Sequence, residues 1–278
     1  MKKKYFLSYT LIFLIQIGFS QTDTIIYSRA NNKPAVRSSA KEYIEIKKKK
    51  RKDIFTVSRY TKNEDQWKLS SIKETAYKIN DTTLRIVSEY NNKNKTETIR
   101  IFSKRGNLFY FQDYNKNKEI KKEGLTKTVL PLHLEGKIKN YYESGNLSSI
   151  EEYKENQMIS NENWQENGEK YLDNVFTSVD VMPEYPGGIK AFLDYIGKNL
   201  KYPVKEKDKG IQGRVYLHFV VNEEGQLVGT YIIKGINKNL DLAALEVIES
   251  SSVKWIPGIL DENYVKVGFN IPIKFTLN

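Results

Sequence analysis

Beyond residue 180 the apolar positions fall first into a helical rhythm and then into an alternating one. Ile189, Phe192, Leu193, Ile196 and Leu200 recur at the three-to-four spacing of one helix face. Tyr202-Pro203 ends that pattern, because proline disfavours helical geometry in the residue before it. Val215, Leu217, Phe219 and Val221 then alternate as a half-buried strand does, which turns His218 to the other side. Asn222-Glu-Glu-Gly225 reads as a turn, and 227–234 as the returning strand. Asp241 opens a second helix through Leu242, Leu245, Val247 and Ile248. Trp255-Ile-Pro257-Gly258 closes it, and 265–276 forms a last strand. The order helix, hairpin, helix, strand predicts an α+β domain over 177–278, with helices on one face of a small antiparallel sheet.

The segment 61–176 has a different texture and is read as β-rich. Residues 83–90 and 97–102 carry strand patterning. A weak repeat recurs around Gly106, Gly145 and Gly168. An aromatic stands four residues before each glycine (Phe102, Tyr141, Trp164) and another eight after it (Tyr114, Tyr153, Phe176). Asn167-Gly168 suits a tight hairpin turn, in which both central residues need positive φ. These segments resemble the short glycine- and tyrosine-bearing hairpins of MORN-like, antitoxin-type repeats. An ordinary β-meander with aromatic packing accounts for them equally. Residues 21–60 show little periodicity and are read as a basic lead-in segment.

The N-terminus carries a third pattern. Lys2, Lys3 and Lys4 precede an apolar run to Phe19, and small residues stand one and three positions before Gln21. That is the form of a secretory signal peptide over 1–20, with an exported, periplasmic protein as its consequence. The competing reading is a retained anchor. Fifteen helical residues reach only about 22 Å, short of a hydrocarbon core of about 30 Å. Membrane contact is expected only through 1–20, and only if that segment is uncleaved.

Composition narrows the chemistry. The 278 residues hold 45 Lys+Arg against 34 Asp+Glu, a formal charge of +11, with no cysteine and two histidines. A disulfide framework, a thiolate metal site and a cysteine nucleophile are thereby excluded. The excess charge lies before residue 176, much of it in the run 47–52, while 176–278 is neutral with 12 charges of each sign. Such a run can hold anionic partners, but no nucleic-acid motif accompanies it, and a solvated basic face is the expectation. Glu151-Glu152 are adjacent carboxylates that would point apart on a strand, and Glu223-Glu224 lie in the expected turn, so neither pair suits acid/base work. No metal, cofactor or catalytic residue is expected.

In the last hundred residues one set of motifs is specific. Pro186-Gly187-Gly188, Tyr202-Pro203, Gly210 with Gly213, Gly225, Leu240-Asp241 with Ala243-Ala244-Leu245, Trp255 with Pro257-Gly258, and Pro272 with Phe275 follow one another in order. In these the chain resembles the C-terminal domain of the TonB family, in the form found in Bacteroidetes-type energy transducers of outer-membrane transport. The resemblance implies a protein-binding mode in which the last strand takes a short segment of a TonB-dependent outer-membrane receptor as an added strand. On this chain that edge would be Val265, Lys266, Val267 and Phe269, with Lys266 facing away from the other three. Two further readings stay open: an envelope adaptor without force transmission, and a structural β protein that binds cell-wall glycan through its tyrosines. The first gains from two departures, since no histidine lies between Met1 and Phe19 and only Pro34 precedes Pro131. An anchoring-helix histidine and a Pro-rich linker are what the resemblance implies for a transducer. Oligomeric state is left open.

Overall fold

The computed structural model describes residues 24–277 apart from 30–31, 33, 50–52, 64–65, 92–93 and 252, so the expected signal peptide and part of the basic run lie outside the described residues. The chain divides into two compact units, Met1–Ile159 and Ser160–Asn278.

Strands dominate the first unit. In chain order they are β1 (Thr24–Ser28), β2 (Glu42–Lys48), β3 (Ile54–Asn63), β4 (Gln66–Asn80), β5 (Thr83–Tyr90), β6 (Asn94–Arg105), β7 (Leu108–Tyr114), β8 (Ile120–Val129), β9 (Leu132–Tyr141), β10 (Leu147–Lys154) and β11 (Gln157–Asn163), each beside its sequence neighbour in one sheet. Residues 21–60 are therefore not a loose lead-in, because they supply three strands of this sheet. Ile44 and Ile46 alternate with Tyr43, Glu45 and Lys47, a strand pattern that the basic run disguises. Tyr43 stacks on Tyr60 with centroids 4.4 Å apart and lies 5.7 Å from Tyr27.

One face of this sheet buries Phe55, Ala76, Leu84, Ile86, Phe102, Phe111, Leu134 and Ile138. Beside them lies a buried ion pair. Arg100 donates through Nε and Nη2 to the two carboxylate oxygens of Asp113 at 2.6 and 2.7 Å, and through Nη1 to the Val129 carbonyl at 2.8 Å. On the other face Glu123 accepts from the Tyr110 hydroxyl, from Tyr141 at 2.7 Å and from Gln112 at 3.1 Å.

Gly106, Gly145 and Gly168 do sit in turns at positive φ. The flanking aromatics, however, do not line one surface. Phe102 shares a cross-strand row with Phe111 and Gly124, whereas Tyr141 reaches Glu123, the neighbour of Gly124 on β8 and so on the opposite face.

The second unit contains β12 (Val175–Phe176), α1 (Gly188–Asn199), α2 (Val204–Asp208), β13 (Gly213–Val221), β14 (Leu227–Lys234), α3 (Lys238–Glu249), β15 (Gly258–Leu260) and β16 (Asn263–Phe275). Its sheet has the order β12-β16-β13-β14, with β15 on β16. The unit begins before residue 177 because side chains bind its first residues to it. The Asn161 amide donates to the Val175 carbonyl at 2.8 Å and accepts from its N–H at 3.1 Å.

Val215, Leu217, Phe219 and Val221 point into the core, together with Phe192, Ile196, Leu240, Ala244, Val247, Ile248, Ile273 and Phe275. The α1 face is narrower than its spacing suggests, since Ile189 and Leu193 are 64% and 52% exposed. α3 starts earlier than Asp241. Asn237 is its N-cap and accepts from the N–H groups of Asn239 and Leu240, while Asp241 accepts from the Ile236 N–H. The small residues Ala243 and Ala244, rather than Leu242, face the sheet. Among the described residues no helix is long and apolar enough to cross a membrane.

Candidate partner-binding edge

A strand can accept a partner only where its backbone groups are unpaired. β16 pairs with β13 over nine consecutive positions, from Gly213↔Phe275 to Val221↔Val267, with no break in register. On its other side β12 pairs parallel with Lys266 and Val267, and beyond the end of the β13 ladder β15 pairs antiparallel with Asn263, Tyr264 and Val265. Among the described residues no strand pairs that side from Gly268 to Phe275. Of the four expected edge residues, Val265 pairs with β15, Lys266 with β12 and Val267 with both β12 and β13, and Phe269 alone lies in the open stretch.

The opposite edge of the sheet is built differently. β14 shifts register twice against β13, between Tyr216 and Leu217 and between His218 and Val220. The Tyr171 hydroxyl also donates to the Gly229 carbonyl on that strand. Bulges and capping of this kind blunt an edge against strand addition. The regular, open edge is that of β16.

Side chains along β16 alternate as expected. Val267 is fully buried. Phe269 stacks on Phe219 with centroids 5.4 Å apart and lies 5.7 Å from Trp255. Lys266, on the other face, pairs with Glu223 at 3.5 Å. Further along that face Asn270 Oδ1 lies 2.7 Å from His218 Nδ1, and the imidazole also packs against Tyr171 and Tyr231. Burial pushes the His218 pKa below its ordinary value, and the Asn270 hydrogen bond opposes that shift. Pro272 is exposed in the middle of the open stretch, where it offers no N–H.

The motif residues sit around this edge as packing elements. Pro186, Gly187 and Gly188 lead into α1, with Gly187 its N-cap. The Tyr202 hydroxyl donates to the Ile211 carbonyl while its ring meets Phe275 edge-on, and Pro203 caps α2. Gly213 opens β13 opposite Phe275. Trp255 is buried against Tyr185, Phe192 and Phe219, and its N–H donates to the Gly225 carbonyl at 2.8 Å. Pro257 precedes β15. At Gly258 a side chain would collide with Val267 and Pro183, so glycine there lets β15 lie against β16.

Two strands of this unit escaped sequence reasoning. β12 is two residues long, too short for periodicity, and is fixed by Asn161. The turn between β15 and β16 uses Asp261 and Glu262, both at positive φ, in place of the Asn-Gly pair that marks such hairpins.

Elsewhere, His133, Glu135 and Glu155 bring possible ligand atoms within 4.8 Å of one another. Lys127 already stands 2.5 Å from Glu155 and 3.5 Å from Glu135 and supplies the positive charge there.

Compared with known families, residues 198–277 match the Gram-negative bacterial TonB protein C-terminal family. The match covers less than half of the chain and contains the whole open edge of β16. It supports a TonB-like C-terminal domain over those residues. No curated protein matches the chain.

Proposed function

We propose that this chain is an exported envelope protein whose TonB-like domain binds a segment of an outer-membrane receptor as an added strand, in the manner of an energy transducer. The observation that carries this is the open edge of β16 from Gly268 to Phe275, in register with β13 and inside the matched stretch. An incoming strand would take backbone hydrogen bonds from that edge, and its alternate side chains would meet Phe269, Ile271 and Ile273 on one face and Asn270, Pro272 and Lys274 on the other. The binding segment therefore lies further along β16 than Val265–Val267.

A photo-crosslinking residue at Asn270 tests this in the native envelope. Adducts should contain the periplasmic segment of an outer-membrane receptor, and the same residue at Lys234 on β14 should give none. Receptor adducts from β14 alone, or none from either strand, would refute the assignment. The mass of the N-terminal peptide from the same material tests export: a start at Gln21 is expected, and a retained Met1 would mean that the first segment holds the membrane.

A binding adaptor without force transmission is the second reading. It is favoured by the folded sheet of β1–β11, which stands where a Pro-rich linker would run.

A further inference from the structure

The positive charge of the chain is concentrated in one stretch. Residues 74–175 hold 16 basic and 16 acidic side chains and 176–278 hold 12 of each, so both are neutral. Residues 24–73 hold 14 basic and 5 acidic, a net of +9. That stretch forms β1, β2, β3 and the first half of β4. The edge of β16 lies in a neutral segment and makes no use of this charge. Cations at such density on one small part of a fold mark a surface for an anionic partner.

The same strands carry an aromatic row on the face turned away from the buried Phe55 and Val57. Tyr27 is directly opposite Tyr43, Tyr43 opposite Tyr60, and Tyr60 opposite Leu69. The Tyr43 ring lies 5.7 Å from Tyr27, 4.4 Å from Tyr60 and 4.8 Å from Trp67. Leu69 at one end of the row and Ile25 beside Tyr27 at the other are 56% and 48% exposed. Lys47, Lys62 and Lys73 share this face by alternation and are exposed, with Lys62 directly opposite Trp67. Among the strand residues described on this face of β1–β4, Glu45 is the one acid, and Lys47 stands 2.9 Å from it.

The surface is thus apolar along its middle and cationic at its rim. A soluble anion would need only the lysines. Exposed Ile and Leu side chains leave water only against an apolar partner. Tyr and Trp, with an apolar body and a polar tip, settle where a hydrocarbon layer meets a charged one. We propose that this face of β1–β4 docks on the surface of an anionic phospholipid bilayer. Tyr27, Tyr43, Tyr60 and Trp67 then sit at headgroup depth, Ile25 and Leu69 reach the acyl boundary, and the lysines meet the lipid phosphates. The contact is peripheral and separate from residues 1–20. It is also independent of the edge of β16, and stands whether or not that edge takes a strand.

The test uses the full chain and vesicles of phosphatidylcholine with or without phosphatidylglycerol. Co-sedimentation should show binding to the anionic vesicles at least about tenfold tighter than to the neutral ones, falling as salt screens the charge. Trp67 emission should move to shorter wavelength on binding, and Trp67→Phe should remove that shift. Lys47→Gln, Lys62→Gln and Lys73→Gln together should weaken binding at least about tenfold, with the melting temperature near wild type. Lys137, Lys139 and Lys154 are exposed in the neutral stretch. Changing those three to Gln should weaken binding no more than about twofold, since only charges near the bilayer feel its potential. Any contribution of residues 1–20 is common to all these proteins. Equal losses in the two triple variants would mean that net charge alone attracts the protein, and would overturn the assigned face. Vesicle binding with no change in Trp67 emission would overturn it as well. Absence of binding, or equal binding to neutral vesicles, would overturn the proposal. Tighter binding to a soluble anionic polysaccharide such as polygalacturonate, with the same lysine dependence, would assign the face to a glycan and refute the bilayer.

Discussion

Gly225 and Trp255 form a backbone clasp beneath β16. The Trp255 N–H donates to the Gly225 carbonyl at 2.8 Å, and a Cβ on Gly225 would collide with the Trp255 carbonyl oxygen. Gly225 also sits at φ +78°, where L side chains are strained. The clasp holds the indole against Phe219 and Phe269, so it links the β13–β14 turn to the floor under β16. Gly225→Ala should therefore destabilise the second unit by about 1–3 kcal/mol, from strain and backbone collision together. Denaturant unfolding followed by tryptophan fluorescence checks it. An unchanged midpoint would show that the clasp contributes nothing.

Much of this unit was legible because its strands obey one rule at a time. Val215, Leu217, Phe219 and Val221 alternate cleanly, and all four are buried. α1 was less legible: periodicity marks which residues share a face, whereas the neighbouring elements decide how wide a face is covered, and Ile189 and Leu193 fall outside it. The resemblance places the edge at Val265–Phe269, whereas the stretch of β16 left unpaired beside β13 runs from Gly268 to Phe275. It begins where β12 ends, and a two-residue strand held by backbone pairing and the Asn161 amide leaves no hydropathy signal. In the first unit the 21–60 segment hid three strands: β1 is five residues long, and in β2 the apolar Ile44 and Ile46 run into Lys47 and Lys48 at the start of the basic run.

The Arg100–Asp113 pair is the main buried charge of the large sheet. Both side chains are about one-tenth exposed, and Arg100 also stands over the Phe111 ring. Asp113→Ala would leave the guanidinium uncompensated and should cost about 3–5 kcal/mol. The double change Arg100→Met with Asp113→Leu should recover most of that loss, because replacing a buried ion pair by packed apolar groups is often neutral. Chemical denaturation of the three proteins decides it. A double variant as unstable as the single one would mean that the bond to the Val129 carbonyl, rather than the charge pair, carries the stability.

Histidine titration gives the protein an acid-sensitive term. His218 and His133 both have pKa values held below the ordinary 6.5, each chiefly by burial, and for His133 also by the Lys127 charge. The unfolded chain therefore binds more protons than the folded one below about pH 6.5. Stability from these groups is complete above that value and declines as the pH falls through it. His218→Gln should flatten part of the decline, and replacing His133 as well should flatten more. Unfolding free energies at pH 7.5, 6 and 5 measure the slope. A slope that both variants leave unchanged would assign the acid sensitivity to carboxylates instead.

The last prediction concerns how β12 is held on β16. Val175 is bonded on one side through the Asn161 amide, which engages both its N–H and its carbonyl, and it pairs with Lys266 on the other. Asn163 adds a bond to the Leu172 carbonyl at 2.8 Å, so the segment before β12 is tied at two points. Asn161→Ala removes both bonds to Val175 and leaves two backbone groups in a half-buried site without that partner, a loss of about 1–3 kcal/mol. Because β12 is only two residues long, the loss should fall locally and not on the whole sheet. Amides of Val175 and Phe176 should exchange faster, while those of β13 keep their protection. If strand addition occurs at Gly268–Phe275, releasing β12 lengthens the open edge back towards Lys266, and a partner strand should then protect residues 266–267 as well. Uniform acceleration across β13 and β16 would instead mean that β12 is part of the cooperative core of this unit.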